Sequence, residues 1–155
     1  MVGLLQTATL LLAAVGSVVA VPSSRSKGKP KSVVTHVGSQ GAILSGGVHT
    51  KDLLFVSGTT PSVNGTIPEG IEAQTAAVIN NIAAILEEAG TSWENALKTT
   101  VYLASMDDFS AMNGVYGSLL PNPKPARTTI QAGKLPGNFS IEIEAVVALP
   151  RSSRC

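Results

Sequence analysis

The chain has 155 residues, of which 44% are hydrophobic, 14% are charged and 4% are aromatic. This length fits one domain of ordinary size, and the apolar fraction excludes a wholly disordered chain. The formal net charge is +1, yet residues 32–150 hold five basic residues against all ten acidic ones, a net charge of −5. A domain of that sign repels phosphate backbones, so nucleic acid is not an expected partner.

The N-terminal segment is apolar and uncharged. Residues 1–20 contain no charged side chain and end in small residues at Ala20. This pattern is typical of a secretory signal peptide cleaved near Ala20, and it predicts a secreted protein with no stable membrane partner. The alternatives are a membrane anchor, because about 19 apolar residues just span a bilayer, or an apolar tail on a cytosolic protein. Residues 1–24 contain no Arg, which disfavours a transit peptide.

Short polar segments flank the predicted domain, which we place at residues 32–150. Residues 21–31 combine Ser, Lys, Gly and Pro and predict a flexible basic leader, and residues 151–155 form a tail. The tail holds the single cysteine, so no intramolecular disulfide is expected. Asn64 and Asn138 each begin an Asn-x-Ser/Thr triplet in a predicted loop. In a secreted glycoprotein both are expected to carry glycans.

Hydrophobic periodicity predicts six strands and two helices within the domain. In chain order these are strands at Ser32–Val37, at the end of Gly41–His49 and at Asp52–Ser57, a helix at Ile71–Ala89 stopped by Gly90, a strand at Leu97–Ala104, a helix through Leu119 capped by Asp107 or Asp108, and strands at Ala126–Ala132 and Ser140–Leu149. This order predicts an α+β fold with the helices on one face of a mixed or antiparallel sheet.

The last predicted strand has two different faces. Strand alternation places Ile141, Ile143 and Ala145 on one side, which we expect to meet the helices, and Glu142 and Glu144 on the other. The glutamate side continues with an apolar valine. A face that mixes carboxylates with apolar side chains favours coverage by another subunit.

The candidate chemistry rests on few residues. The sequence contains no phosphate loop, dinucleotide-binding glycine motif, nucleophile elbow or metal-ligand spacing. Arg127 follows a proline-containing bend, and its planar guanidinium suits bidentate binding of a carboxylate. Alternation puts Thr129 on the same strand face, and a partly buried Glu142 or Glu144 is suited to proton transfer through water. The alternative is a structural ion pair between Arg127 and one of the glutamates.

Several short motifs occur in a fixed order along the domain. They are DLLFVSG at 52–58, IEAQT at 71–75, NIxxILExAG at 81–90, KTTVYL at 98–103, MDDF at 106–109, NxxY at 113–116, KPART at 124–128 and IEIEA at 141–145. Each motif is weak alone, but the combination is specific and closely resembles the reactive intermediate deaminase family, also called RidA or YjgF-like. The resemblance covers residues 32–150.

The resemblance implies a chorismate-mutase-like fold and a homotrimer with active sites between subunits. Family members hydrolyse enamines and imines such as 2-aminoacrylate to 2-oxo acids or ketones and ammonia, without a metal or organic cofactor. It therefore implies a 2-iminobutanoate/2-iminopropanoate-type deaminase. By the same resemblance, Arg127 binds the substrate carboxylate and Glu142 serves the water and proton transfer, while Ser57, Gly58 and Asn113 line the pocket.

The sequence departs from the family pattern at three pocket positions. Leu44 stands where a tyrosine is common, Gly46 where a glutamine is common, and Thr129 where many members have cysteine. Carboxylate recognition is intact, whereas the rest of the pocket is more apolar and leaves room for an imine bulkier than 2-aminoacrylate. Two alternatives stay open: a catalytically weak protein that binds a small carboxylate or apolar metabolite, and an endoribonuclease, which the acidic domain disfavours.

Overall fold

The computed structural model of the chain describes residues 33–150. The predicted signal segment, the predicted basic leader and the C-terminal tail with Cys155 lie outside the described residues. The strands and long helices are β1 (Thr35–Gln40), β2 (Ser45–His49), β3 (Leu53–Thr59), α1 (Ile71–Glu88), β4 (Ala96–Leu103), α2 (Phe109–Leu119), β5 (Ala126–Gln131) and β6 (Ile141–Ala148).

The described strands form one mixed sheet in the order β1-β2-β3-β6-β4-β5. Strands β4 and β5 are parallel and are linked through α2, whereas the other neighbouring pairs are antiparallel. The predicted α+β class and all the predicted elements are therefore confirmed. The largest shift in bounds concerns the first strand, predicted at Ser32–Val37 but found at Thr35–Gln40. Its bounds follow from pairing with β2, which local composition does not show.

One face of the sheet, called the helix face below, is covered by α1 and α2. On β6 the predicted alternation holds, because Ile141, Ile143, Ala145 and Val147 are buried against the helices. The opposite face, called the open face, carries Glu142 and Glu144 among other side chains. Burying one side of each strand supplies the main stabilisation of the domain, since burial of an aliphatic side chain contributes about 1.5–3 kcal/mol.

The helix ends agree with the sequence at one point and differ at another. As predicted, α1 stops next to Gly90, whose φ of 75° reverses the chain direction at the C-terminus. The predicted cap of α2 is confirmed in position, because Asp108 is the N-cap residue, but not in side-chain bonding. Ser105 accepts a hydrogen bond from the Asp107 backbone N–H and starts a short 3₁₀ turn that runs directly into α2. The Asp108 side chain makes no capping bond.

Candidate functional site

Arg127 lies on the helix face at the β5 edge of the sheet. A row of paired positions crosses all six strands and consists of Val37, Gly47, Val56, Ala145, Thr99 and Arg127. Paired residues project to the same side of a sheet. Since Val37, Val56, Ala145 and Thr99 are buried under the helices, the Arg127 side chain projects toward the helix layer as well.

The guanidinium of Arg127 rests on α2, and no carboxylate of residues 33–150 pairs with it. Its central carbon lies 4.7 Å from the ring centroid of Tyr116 and 5.8 Å from that of Phe109. One terminal nitrogen lies 4.0 Å from the Met112 sulfur. Within residues 33–150, no Asp or Glu oxygen lies within ion-pair distance of it. The structural ion pair considered from the sequence is therefore absent from this part of the chain.

Neighbouring contacts fix the aromatic support of Arg127. The hydroxyls of Tyr116 and Thr99 are hydrogen-bonded at 2.8 Å in the core. Burial raises the pKa of Tyr116, while the bond to Thr99 and the charge of Arg127 oppose that rise. Lys124, just before β5, donates hydrogen bonds to the Gly117 and Leu120 carbonyls at the end of α2. These bonds tie the segment that leads into Arg127 to the helix that supports it.

Two more predicted site residues lie near Arg127. Thr129 shares its strand face, as alternation predicts, and is half-buried. Among the described side chains, the Thr129 hydroxyl oxygen is the buried polar atom without a hydrogen-bond partner. Asn113 follows Met112 on α2 and is half-buried. Asn113, Tyr116, Arg127 and Thr129 together are called the arginine half-site below.

Glu142 lies on the open face and reaches toward the end of β3. It is paired with Tyr102 of β4. The neighbours of Tyr102, Val101 and Leu103, are buried on the helix face, so Tyr102 and Glu142 project to the open face. Its carboxylate lies directly against Gly58, because a Cβ placed on that glycine would sit 2.0 Å from Glu142 Oε1. Glycine is therefore the residue that leaves room for the carboxylate at this position.

The surroundings of Glu142 favour its protonated form. Desolvation raises the pKa of Glu142 above its usual value, and the negative charge of Glu144 raises it further. Tyr102 is paired with Glu142 on the open face, and its pKa is raised by desolvation and then by Glu144. A carboxyl group with a raised pKa is suited to give and take a proton near neutral pH.

A cavity of about 360 Å³ opens beside Gly58. Its walls include three predicted site residues, Leu44, Ser57 and Gly58, together with Asn81, Ala84 and Ile85 of α1. Leu44 is about half exposed, and the Ser57 hydroxyl donates to the Ser45 carbonyl at 2.7 Å. Leu44, Ser57, Gly58 and Glu142 together are called the glutamate half-site below.

One chain does not bring the two half-sites together. Arg127 projects from the helix face and Glu142 from the open face. Strand β4 lies between β6, which carries Glu142, and β5, which carries Arg127, and two strand spacings amount to roughly 10 Å. Within one chain, Arg127 and Glu142 therefore face opposite sides of the sheet.

Sequence reasoning missed some residues of these half-sites. Tyr116 was identified only as part of the NxxY motif, and its ring was not expected to support Arg127. The three-residue spacing of the NxxY motif was the available signal, since it places Asn113 and Tyr116 on adjacent turns of one helix side. The roles of Asn81 and Ala84 in the cavity wall follow from tertiary packing alone.

Residues 33–150 contain neither a cluster of metal-ligating side chains nor a helix that could span a membrane. No group of three His, Cys, Asp or Glu side chains in this range is arranged to hold a metal ion. None of the helices in the same range is long and apolar enough to cross a membrane.

Comparison of the sequence and the fold with known proteins places this chain in one family. The sequence profile described as Endoribonuclease L-PSP matches residues 39–149. The mitochondrial protein mmf2 of Schizosaccharomyces pombe is 43% identical over 69% of this chain and 84% of its own length. The chloroplastic Reactive Intermediate Deaminase A of Arabidopsis thaliana is 36% identical over 66% of this chain and 56% of its own length.

A solved structure supports the same assignment. The crystal structure of E. coli TdcF with bound serine superposes with a TM-score of 0.69 at 28% identity, covering 77% of this chain and all of that one. The fold and motifs define an α+β protein of the RidA/YjgF type. The chain belongs to the Endoribonuclease L-PSP family, which is the family that the sequence motifs resemble.

The comparisons correct the predicted location. The prediction of a secreted protein is wrong, because the relatives named above are mitochondrial and chloroplastic proteins. The prediction gave most weight to the apolar run and to the lack of Arg in residues 1–24. The first 51 residues also contain no Asp or Glu, and a lack of acidic residues is a feature that transit peptides share.

The predicted glycosylation depended on secretion and is not supported. Asn64 lies in a turn with a φ of 50°, and Asn138 lies in an exposed loop before β6. Their exposure reflects loop positions and carries no information about modification. The membrane-anchor alternative concerned residues 1–20, which lie outside the described residues.

Proposed function

We propose that this chain is a hydrolytic deaminase of small reactive imines and enamines that carry a carboxylate. The observation that carries the proposal is the state of Arg127: a half-buried guanidinium, supported by aromatic rings, with no carboxylate partner in the described part of the chain. A charge held in this way is available for an anionic ligand, and a guanidinium binds a carboxylate through two parallel hydrogen bonds.

The glutamate half-site supports the second part of the chemistry. Hydrolysis begins when water adds to the imine carbon, and it ends when the C–N bond breaks, ammonia leaves and a carbonyl forms. Both steps move protons between oxygen and nitrogen, and an enamine first gains a proton on carbon. Glu142, with its raised pKa and its position against Gly58, is the group we assign to these proton transfers.

The two half-sites suggest how the complete site forms. The open face carries exposed apolar side chains, including Phe55 at 51% and Ile130 at 44% exposure. A soluble protein commonly covers such a face with another chain. We propose a homotrimer, as the family resemblance implies, in which the arginine half-site of one copy meets the glutamate half-site of the next. TdcF, a neighbour solved with bound serine, supports a ligand with a carboxylate and a nitrogen on adjacent carbons.

The direct test is imine hydrolysis by the purified protein. An amino acid oxidase generates imines from amino acids in the presence of semicarbazide, which traps free imine as a semicarbazone. We expect the protein to lower semicarbazone formation and to speed release of 2-oxo acid and ammonia in proportion to its concentration. Rates equal to those with a heat-denatured sample would contradict the proposal.

The same preparation separates the two alternative functions. Binding of 2-oxo acids with no turnover of any imine would identify a binding protein. Cleavage of RNA that is lost on Arg127→Ala substitution would identify a ribonuclease. The net charge of −5 over residues 32–150 makes strong RNA binding unfavourable, so we expect RNA to stay intact.

A further inference from the structure

Gln74 of α1 is a buried residue that the proposed function does not use. It belongs to the IEAQT motif of residues 71–75, and only 6% of it is exposed. Both ends of its side-chain amide are hydrogen-bonded, because Nε2 donates to the Pro68 carbonyl at 2.9 Å and Oε1 accepts from the Ser140 backbone N–H at 2.7 Å. An amide without such bonds is costly to bury. Gln74 therefore joins α1 to two segments of irregular backbone, one before α1 and one before β6.

The bond to Ser140 fixes the start of β6. Gln74 holds the Ser140 N–H, and the Ser140 carbonyl accepts from the Ala104 N–H at 2.9 Å, just beyond the end of β4. The pairing of β3 with β6 begins one residue after Glu142. In the described part of the chain, the hydrogen bonds that secure the Glu142 end of β6 run to β4 and to Gln74. The position of Glu142 therefore depends on a bond from the helix layer.

A second amide of α1 fixes the other side of the contact between Glu142 and Gly58. Asn81 Nδ2 donates to two backbone carbonyls just after β3, the strand that carries Gly58, at 3.0 and 2.9 Å. Asn81 comes seven residues after Gln74, about two helical turns, so both amides lie on one side of α1. The chain is thus tied to α1 just after Gly58 and just before Glu142.

We propose that Gln74 is a positioning residue for Glu142. By holding the Ser140 N–H, its amide sets the start of β6 and keeps the Glu142 carboxylate against Gly58, where the proton transfers take place. This inference rests on the proposed deaminase function. Gln74 is buried and does not line the cavity beside Gly58, so it acts through the backbone and not by contact with the substrate.

A substitution that removes the amide but keeps its volume tests this role. Gln74→Met places a good helix former of similar length in α1 that cannot bond Ser140 or Pro68. We expect kcat for imine hydrolysis to fall about tenfold while KM changes less than about twofold, because a small misplacement of a catalytic group costs up to about 100-fold in rate. Gln74→Glu keeps an oxygen that accepts from the Ser140 N–H and should recover most of kcat, even though a buried carboxylate lowers the melting temperature. Equal kcat values for the two variants would overturn the assignment.

Thr91→Val is the matched control, because it removes a bond to the other end of the same strand. The Thr91 hydroxyl donates at 2.8 Å to the carbonyl of Ala148, the last residue of β6, and Thr91 belongs to neither half-site. Loss of this bond should lower the melting temperature and leave kcat unchanged. A loss of kcat equal to that of Gln74→Met would show that activity follows the general stability of β6, and the specific role of Gln74 would be overturned.

Melting curves confirm that each variant is folded. Where Gln74→Met does not fold, Gln74→Asn takes its place, because its amide is one methylene too short to reach both partners. The same fall in kcat at constant KM is then expected, and a natural kcat would overturn the inference.

The outcomes separate this inference from the function on which it rests. If the natural chain hydrolyses imines and Gln74→Met does so with the same kcat, the deaminase stands and the inference fails. If the natural chain hydrolyses no imine, the proposed function fails, and the position of Glu142 is then read from the pKa of its carboxyl group in a ¹³C NMR titration. Gln74→Met should lower this pKa toward its usual value, because a displaced carboxyl gains water, whereas Thr91→Val should not. An unchanged pKa in folded Gln74→Met would overturn the inference.

Discussion

The two half-sites use opposite chemistry. In the arginine half-site, a cation lies on the rings of Tyr116 and Phe109, and no carboxylate of the described residues neutralises it. In the glutamate half-site, a carboxylate with a raised pKa lies against Gly58, beside an uncharged cavity. Each half-site has what the other lacks.

This difference explains why Arg127 and Glu142 do not neutralise each other within a chain. The row of paired positions fixes Arg127 to the helix face, whereas alternation on β6 fixes Glu142 to the open face. An ion pair would consume the groups that a substrate needs, since a paired guanidinium has fewer free donors. The sheet keeps the charges apart within one chain, and in the proposed trimer a second copy and a ligand bring them together.

Removing the Arg127 guanidinium is expected to have the largest effect on imine hydrolysis. Arg127→Ala deletes the group assigned to the substrate carboxylate, and kcat/KM for imines should fall about a thousandfold, within the range for loss of one partner of a buried charged pair. Arg127→Lys keeps the charge without the bidentate geometry and should recover only part of the loss. Steady-state kinetics check both variants. A change below threefold for Arg127→Ala would remove Arg127 from the site.

Displacing the Glu142 carboxylate without removing it should lower the activity less than the loss of Arg127 does. A Cβ at Gly58 would lie 2.0 Å from Glu142 Oε1, so Gly58→Ala forces the carboxylate to move. The backbone of Gly58 is not left-handed, so alanine adds no conformational strain. We expect kcat to fall about tenfold with little change in melting temperature, because general acid–base catalysis contributes about 100- to 10,000-fold and depends on position.

Gly117→Ala is the matched control for this substitution. A Cβ on Gly117, in α2, has no atom within 4 Å. Alanine at this helix position should leave kcat unchanged and raise the melting temperature slightly, since glycine costs up to about 1 kcal/mol relative to alanine in a helix interior. Equal loss of kcat in both variants would show that Gly58 has no special relation to Glu142.

Removing the aromatic ring that supports Arg127 should change KM by a few fold. Tyr116→Leu removes the ring 4.7 Å from the guanidinium carbon and should raise KM about threefold to tenfold with little change in kcat, because a cation–π contact contributes about 0.5–2 kcal/mol. Tyr116→Phe keeps the ring and should restore KM. It should also lower the melting temperature, since the buried Thr99 hydroxyl loses its partner. Equal KM values for both variants would exclude a role of the ring.

The smallest expected effect is on stability as a function of pH. The pKa of Glu142 is raised in the folded chain above its usual value of 4.5, so the folded state binds its proton more tightly than the unfolded state. Stability then falls as the pH rises from 4.5 through the folded-state pKa, and the penalty persists above it. Glu142→Gln should therefore melt slightly higher than the natural chain at pH 7, and the difference should vanish below pH 4.5. A difference independent of pH would contradict this origin.

The sequence predicted the elements of the fold well, because each carries its own periodicity. The alternation of Ile141, Glu142 and Ile143 identified both faces of β6, and Gly90 marked the end of α1. The first strand was displaced because its bounds depend on pairing with β2. The α2 cap position at Asp108 was predicted, but the side chain that makes a capping bond is Ser105, which begins a 3₁₀ turn before the helix.

The candidate site was predictable in its residues but not in its arrangement. Motifs identified Arg127 and Glu142, and alternation placed each on a strand face. Which of these side chains lie close together on one face depends on the strand order β3-β6-β4-β5, and no local feature of the sequence indicates that order. For the same reason, the support of Arg127 by Tyr116 and the contact of Glu142 with Gly58 required the structure.

The central claim is that one site needs two copies, and mixing inactive chains tests it most directly. Arg127→Ala and Glu142→Gln chains are co-expressed with different tags, and assemblies that contain both are isolated by two affinity steps. Each variant alone should have almost no imine hydrolase activity. In a mixed ring of three, one interface joins an intact arginine half-site to an intact glutamate half-site, so about a third of the natural activity should return. Mixed assemblies as inactive as either variant alone would contradict the account.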